Sequence, residues 1–199
     1  VASQKGSNFE REMARAISLW WTKGVHDDCL WRVLGSGGMA TRKERSGKST
    51  THASFNDIEP KTADAHAFTD HVICELKRGY KGWSITDVLD SKNPKKQKWA
   101  EFFDQTTYAW KASKRAWWLV IFKRDQRKIM VALCPDLWLK IKGFVPGTPR
   151  AIFLDTGYDC VLITWEQFVK IDPDFFRGYA ALVTNKGRIH PRILVADEL

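Results

Sequence analysis

The sequence predicts an α/β fold in which a central mixed β-sheet is flanked by helices, and two observations carry this reading. Two long segments repeat apolar residues at helical spacing. Short apolar runs of strand length lie between and after them, in the order helix, strand, strand, strand, helix, strand, strand, before a smaller mixed tail. With 199 residues, 44% apolar and 28% charged, the chain can bury one core. We expect a single domain over residues 1–199, with a core over about 5–134 and a small C-terminal extension over about 145–199.

In chain order, Phe9, Met13, Ile17 and Trp20 recur at spacings of four, four and three, which predicts a helix over 7–21 with Ser7 as its N-cap. Leu30 to Leu34 reads as a strand ended by the small residues Ser36-Gly37-Gly38, and Thr41 to Thr51 as a polar, basic loop. Ser54 to Glu59 and His71 to Lys77 read as strands joined by a polar connection. Gly79 to Lys96 is mostly connection and ends in a basic cluster. A second helix is expected over 97–113, with Phe102, Thr106 and Trp110 on one side and Phe103 and Tyr108 widening the stripe. Strands Trp117 to Phe122 and Ile129 to Leu133 follow, separated by the polar turn KRDQR. The tail holds apolar runs at Ala151 to Leu154 and Cys160 to Ile163, then a helix from Trp165 to about Lys170.

Thirty-two Lys and Arg against 23 Asp and Glu leave a net charge of +9 and a pI near 9.4, which favours a polyanionic partner. A membrane span is excluded, because the longest apolar run, Ala116 to Phe122, falls far short of the roughly 18–20 residues required. The first residues lack the apolar stretch of a signal peptide, so a soluble intracellular protein is expected. Cys29, Cys74, Cys134 and Cys160 form no C-x-x-C pair and read as buried reduced thiols rather than a disulfide framework or zinc site. Gly47-Lys48-Ser49 suggests a nucleotide-binding P-loop, but Arg42 stands where that motif requires glycine. The ten tryptophans, among them Trp20, Trp110, Trp117 and Trp118 in apolar runs, are expected in the core or a dimer interface rather than as base-stacking platforms.

The chemistry lies in Val72-Ile73-Cys74-Glu75-Leu76-Lys77. As a strand it sends Ile73, Glu75 and Lys77 to one face, so two opposite charges interrupt an apolar run and need partners, solvent or an ion. Asp57 sits in the preceding strand candidate, and an antiparallel pairing of the two strands would place it beside Glu75. Adjacent carboxylates repel, and a hard divalent cation such as Mg²⁺ would neutralise them, leaving Lys77 to assist a water or offset charge on a phosphate.

KGSNFERE at residues 5–12, SGG at 36–38, NDI at 56–58 and CELK at 74–77 resemble the PD-(D/E)XK nuclease superfamily. Within it they are most similar to archaeal-type Holliday-junction resolvases and the resolvase-like endonucleases of phages and prophages. The resemblance covers about residues 5–134. It implies a homodimer cutting branched or duplex DNA by metal-assisted hydrolysis and leaving 5′-phosphate and 3′-hydroxyl ends. Asp57, Glu75 and Glu10 would hold Mg²⁺, with Mn²⁺ able to substitute, Lys77 would be the catalytic lysine, and Ser36 would contact a phosphate. The sequence departs from the family in two ways. Asn56 replaces a glycine often found before the aspartate, and the stretch between Asp57 and Glu75 is longer and carries Asp64 and Asp70.

Plainer readings stand beside these. Glu10 occupies the capping-box position relative to Ser7. Glu75 and Lys77 could form a solvated charge pair. His66 and His71 near Asp64 and Asp70 could build a nitrogen-containing metal site or merely a polar loop. Gln105 and Tyr108 resemble site residues of some relatives and equally suit an ordinary helix. Arg42, Lys43, Arg45 and Lys48, with Arg78, Lys81, Lys95 and Lys96, are expected to contact DNA phosphates, the alternative being soluble surface. The expectation is an Mg²⁺-dependent, structure-selective endodeoxyribonuclease. Its alternatives are a duplex endonuclease in restriction, repair or DNA processing, and a non-catalytic DNA-binding protein on the same fold.

Overall fold

The computed structural model describes residues 2–33, 55–78, 92–93, 97–153 and 158–185. Helix α1 (Ala2–Trp21) buries Phe9, Met13 and Ile17 completely and Trp20 almost so, as their spacing requires. It starts at Ala2, so Ser7 lies within the helix instead of capping it, and the Ser7 hydroxyl accepts a hydrogen bond from Arg32 Nη1 at 2.8 Å. Strands β1 (Leu30–Arg32) and β2 (Ile58–Pro60) form a separate antiparallel pair. The single turn α2 (His66–Thr69) then leads into β3 (Val72–Arg78).

The crossover helix α3 (Lys98–Ser113) joins β3 to β4 (Trp117–Lys123), which lies parallel to it. β5 (Ile129–Leu133), α4 (Pro135–Ile141), β6 (Ala151–Phe153), β7 (Cys160–Thr164), α5 (Trp165–Phe168) and α6 (Asp174–Asn185) follow. The mixed sheet has the order β3-β4-β5-β7-β6, and its pairings beyond β3–β4 are antiparallel. β4 and β7 are buried almost throughout, as strands covered on both faces must be. The C-terminal extension thus adds β6 and β7 to the sheet. α5 opens with a capping box, in which Thr164 Oγ1 accepts from Gln167 N and Gln167 Oε1 accepts from Thr164 N.

Three expectations need correction. Helices α2, α4 and α6 lie where no helix was read. α2 is one turn long, too short for any periodicity to show, and α4 starts on Pro135, which is tolerated in a first turn. β2 does not pair with β3; its ladder partner is β1. Tyr108 is 47% exposed, so the buried stripe of α3 is Trp99, Phe102, Phe103 and Thr106, with Trp110 half-buried. All four cysteines are buried and free, as expected. Among the described residues, no helix is long and apolar enough to cross a membrane.

An aromatic knot joins the two ends of the described chain. Trp20 packs edge-on to Phe68 and Phe176 and against Phe168, and its Nε1 donates to Ile171 O at 2.8 Å. At the rim, Arg177 stacks over the Trp21 ring at 4.2 Å and donates to Asp64 at 3.0 and 2.9 Å, while Trp21 Nε1 donates to the same carboxylate at 2.6 Å. The Arg177 hydrogen bond holds the Asp64 carboxyl below its ordinary range, and the Trp21 bond adds to that against a burial penalty.

A carboxylate with a lowered folded pKa contributes stability that is present above its unfolded value and lost as pH falls through the folded one. The wild type should therefore lose stability below about pH 4. Asp64→Asn should be less stable at pH 7 and show a flatter profile below pH 4 in urea titrations. Parallel profiles for the two proteins would remove Asp64 from this role.

Candidate active site

β3 is an edge strand of the mixed sheet, so its outer backbone groups need partners. The two residues before β2 supply them. Asn56 Nδ2 donates to Val72 O at 3.2 Å, and Cys74 N donates to Asn56 Oδ1 at 2.6 Å. Asp57 N donates to Cys74 O at 3.2 Å, and Leu76 N donates to Asp57 Oδ2 at 2.7 Å. Asn and Asp side chains readily replace backbone partners in this way. Asp57 is also fastened on its other side, where its carbonyl accepts from Val33 N at 2.8 Å. Asp57 thus reaches the side of Glu75 through its own hydrogen bonds to the edge of β3. The expected ladder between two strands is absent, because Asn56 and Asp57 precede β2 and stand in for a strand themselves.

Four of the anticipated residues come together here. Asp57 and Glu75 are both buried. Lys77, on the same face of β3 as Glu75, ion-pairs with it, and the Lys77 ammonium lies 5.3 Å from the centre of the Phe102 ring on α3. Glu10 projects from α1, and its Oε2 accepts from Arg32 Nη1 at 3.3 Å. Since Ser7 is no N-cap, the capping-box role for Glu10 falls away. Sequence reasoning missed Arg32. The signal was available: Arg32 shares a strand face with buried Leu30, and a cation on that face needs a partner.

The carboxyls are crowded. Burial raises the Glu75 pKa first and the Asp57 charge next, against the lowering effect of Lys77, and the net position is about 7. Burial and then Asp57 also raise Glu10, while Arg32 and Lys77 pull it down. Asp57 and Lys77 each act on both glutamates, so the four groups form one electrostatic unit. Among the described residues, no three His, Cys, Asp or Glu side chains converge into a ready metal cage. The donor set suits an ion that takes one or two carboxylates and keeps several waters, which is the habit of Mg²⁺.

The other candidates sort clearly. Asp64 serves the Arg177 and Trp21 contacts, and Asp70 faces His66 Nδ1 at 3.2 Å, so neither joins the cluster. Burial lowers the His71 pKa, and His71 packs edge-on to Tyr179. Gln105 and Tyr108 are exposed on α3. Arg78 ends β3 and contacts Glu12. Ser36, Arg42, Lys43, Arg45, Lys48, Lys81, Lys95 and Lys96 lie outside the described residues.

A family model described as "Phage putative PDDEXK endonuclease" matches residues 1–177, beyond the stretch over which the sequence motifs alone carried a resemblance. No curated protein and no solved structure matches the chain.

The crowding has a measurable consequence in metal-free protein. A carboxyl whose folded pKa is raised loses folding stability as pH climbs from its unfolded value, near 4.5, to its folded value, near 7. Glu75→Gln removes the buried charge while keeping an acceptor for Lys77. In EDTA at pH 8 the variant should be more stable than wild type by roughly 1–3 kcal/mol, and the gap should close towards pH 4.5. Calorimetry at several pH values checks this; a variant less stable at pH 8 would contradict the crowding.

Proposed function

Because the chain belongs to the phage PD-(D/E)XK endonuclease family, we propose that it hydrolyses DNA phosphodiester bonds with a divalent cation, Mg²⁺ or Mn²⁺, held by Asp57 and Glu75 with Glu10 completing the acidic set. The observation that carries this reading is the Asn56-Asp57 graft on the edge of β3, which brings Asp57 beside Glu75 and Lys77 in a mostly buried position.

Asp57 commits Oδ2 to Leu76 N, which fixes the plane and direction of its carboxylate. Glu75 is turned towards Lys77, and the lysine ammonium is kept inside the site between that carboxylate and the face of Phe102. From there Lys77 can orient an attacking water and meet charge that develops on the scissile phosphate. Arg32 donates to Glu10 and is itself held by the Ser7 hydroxyl, which accepts from the same nitrogen. When bound, a divalent cation supplies Lewis-acid stabilisation of the phosphate and lowers the pKa of a coordinated water. The products would carry 5′-phosphate and 3′-hydroxyl ends.

The substrate we favour is branched DNA, cut by a homodimer whose two sites meet the two strands of a four-way junction. The net charge of +9 supports a DNA partner.

End-labelled four-way junction, linear duplex and single strand, each incubated with Mg²⁺, test this. The junction should be cut preferentially. Asp57→Asn keeps the acceptor for Leu76 N and should lower the cleavage rate at least about 100-fold, with DNA binding retained; Lys77→Ala should fall by about 10²–10⁴-fold. Equal cutting of linear duplex would replace the junction reading with a duplex endonuclease. Binding without cutting under any divalent ion would leave a DNA-binding protein.

A further inference from the structure

Glu12 receives two cations at once. Arg78 Nη1 lies 3.3 Å from its Oε2 and Lys123 Nζ 3.5 Å from its Oε1. Arg78 and Lys123 stand directly opposite each other in the parallel ladder of β3 and β4, so two like charges share one face of the sheet and need an anion between them. Neither contact has the short, two-pronged geometry by which an arginine and a carboxylate hold a fold together. All three side chains keep access to solvent, at 26% for each cation and 46% for Glu12. The Arg78 guanidinium lies over the Phe9 ring at 5.8 Å, and its Nε is buried with no hydrogen-bond partner among the described residues. Such a loosely tied carboxylate can be displaced by another anion.

The location specifies which anion. Arg78 follows Lys77 directly and closes β3, but strand alternation turns its side chain to the opposite face of the sheet, against Phe9 of α1, so the cation pair and the acidic cluster flank the same end of the strand. Beyond Lys123 the β4–β5 turn continues with Arg124, Arg127 and Lys128, with Asp125 the one acid in that run. A DNA strand passing over that end of β3, with one phosphate at the acidic cluster, would bring a neighbouring phosphate to this pair.

We propose that Arg78 and Lys123 form a subsite for a non-scissile phosphate of the DNA strand, and that Glu12 is its built-in placeholder, occupying the subsite in the free protein and giving way to the phosphate. The proposal rests on DNA being the substrate. It assigns Lys123 and Glu12 roles in recognition, and it makes Glu12 an acid that opposes binding.

The test is fluorescence anisotropy of a labelled DNA duplex and a four-way junction titrated with full-length protein in EDTA, where binding is read without cleavage. Glu12→Gln should tighten binding about three- to fivefold at low salt. Asp136→Asn makes the same charge change at the start of α4, at the opposite end of β5 from the turn, and is the control. Lys123→Gln should weaken binding and reduce the slope of log affinity against log salt by about 0.9, one phosphate contact. In an Arg78→Gln/Lys123→Gln background the effect of Glu12→Gln should disappear. The subsite is overturned if Glu12→Gln matches Asp136→Asn, or if its effect persists without the two cations; cleavage by the wild type would then still stand. Failure of the wild type to bind either DNA would overturn the subsite and the DNA reading together. Melting curves for each variant report whether Glu12→Gln lowers stability while it raises affinity, the opposed pair of changes expected of a placeholder.

Discussion

The arrangement of the site depends on how the outer edge of β3 is closed. An unpaired edge strand inside a protein leaves backbone groups that cost free energy unless they are met, and here one Asn side chain, one Asp side chain and one peptide N–H meet them. Closing the edge and placing the carboxylate are the same event. Asp57 cannot turn away from Glu75 without giving up the Leu76 hydrogen bond, so a requirement of the backbone preorganises the acidic pair.

That preorganisation is held at a cost to the free protein. Two buried carboxyls lie side by side, a third is within electrostatic reach, and a single ammonium is shared between the two glutamates. Carboxyls with raised pKa values crowded in this way cluster at functional sites, where the arrangement serves something other than folding stability. Arg32 moderates it from one side and Lys77 from the other, which is why both are partly buried although each is a cation.

The long periodic elements were legible in the sequence because burial repeats along them: Phe9, Met13 and Ile17 on α1, and the continuous apolar run of β4, lie where spacing put them. Glu75 and Lys77 were legible as charges that interrupt an apolar strand. The manner in which Asp57 joins them was not, because a side chain that substitutes for a strand leaves no alternation to read; Asn56 registered only as a departure from glycine. Ser7 misled for a related reason, since a hydroxyl three residues before a glutamate has the form of a cap whether or not the helix begins there. α2 and α4 escaped because they are too short for a period to repeat, whereas α6 does repeat apolar residues at helical spacing in Phe175, Phe176, Tyr179 and Leu182, a signal the sequence held and the reading left unused.

The interval between Asp57 and Glu75 is longer than the resemblance led us to expect, and the aromatic knot shows how the extra length is used. It carries Phe68 and Asp64, which together with Trp20 and Trp21 make the seat on which Phe176 and Arg177 of α6 rest. Take away helix α6 and the seat is left as bare apolar surface around an acid that only Trp21 still meets; shorten the interval and the helix has no berth. Insertion and tail are mortise and tenon, two distant stretches of the chain each of which leaves apolar surface bare without the other.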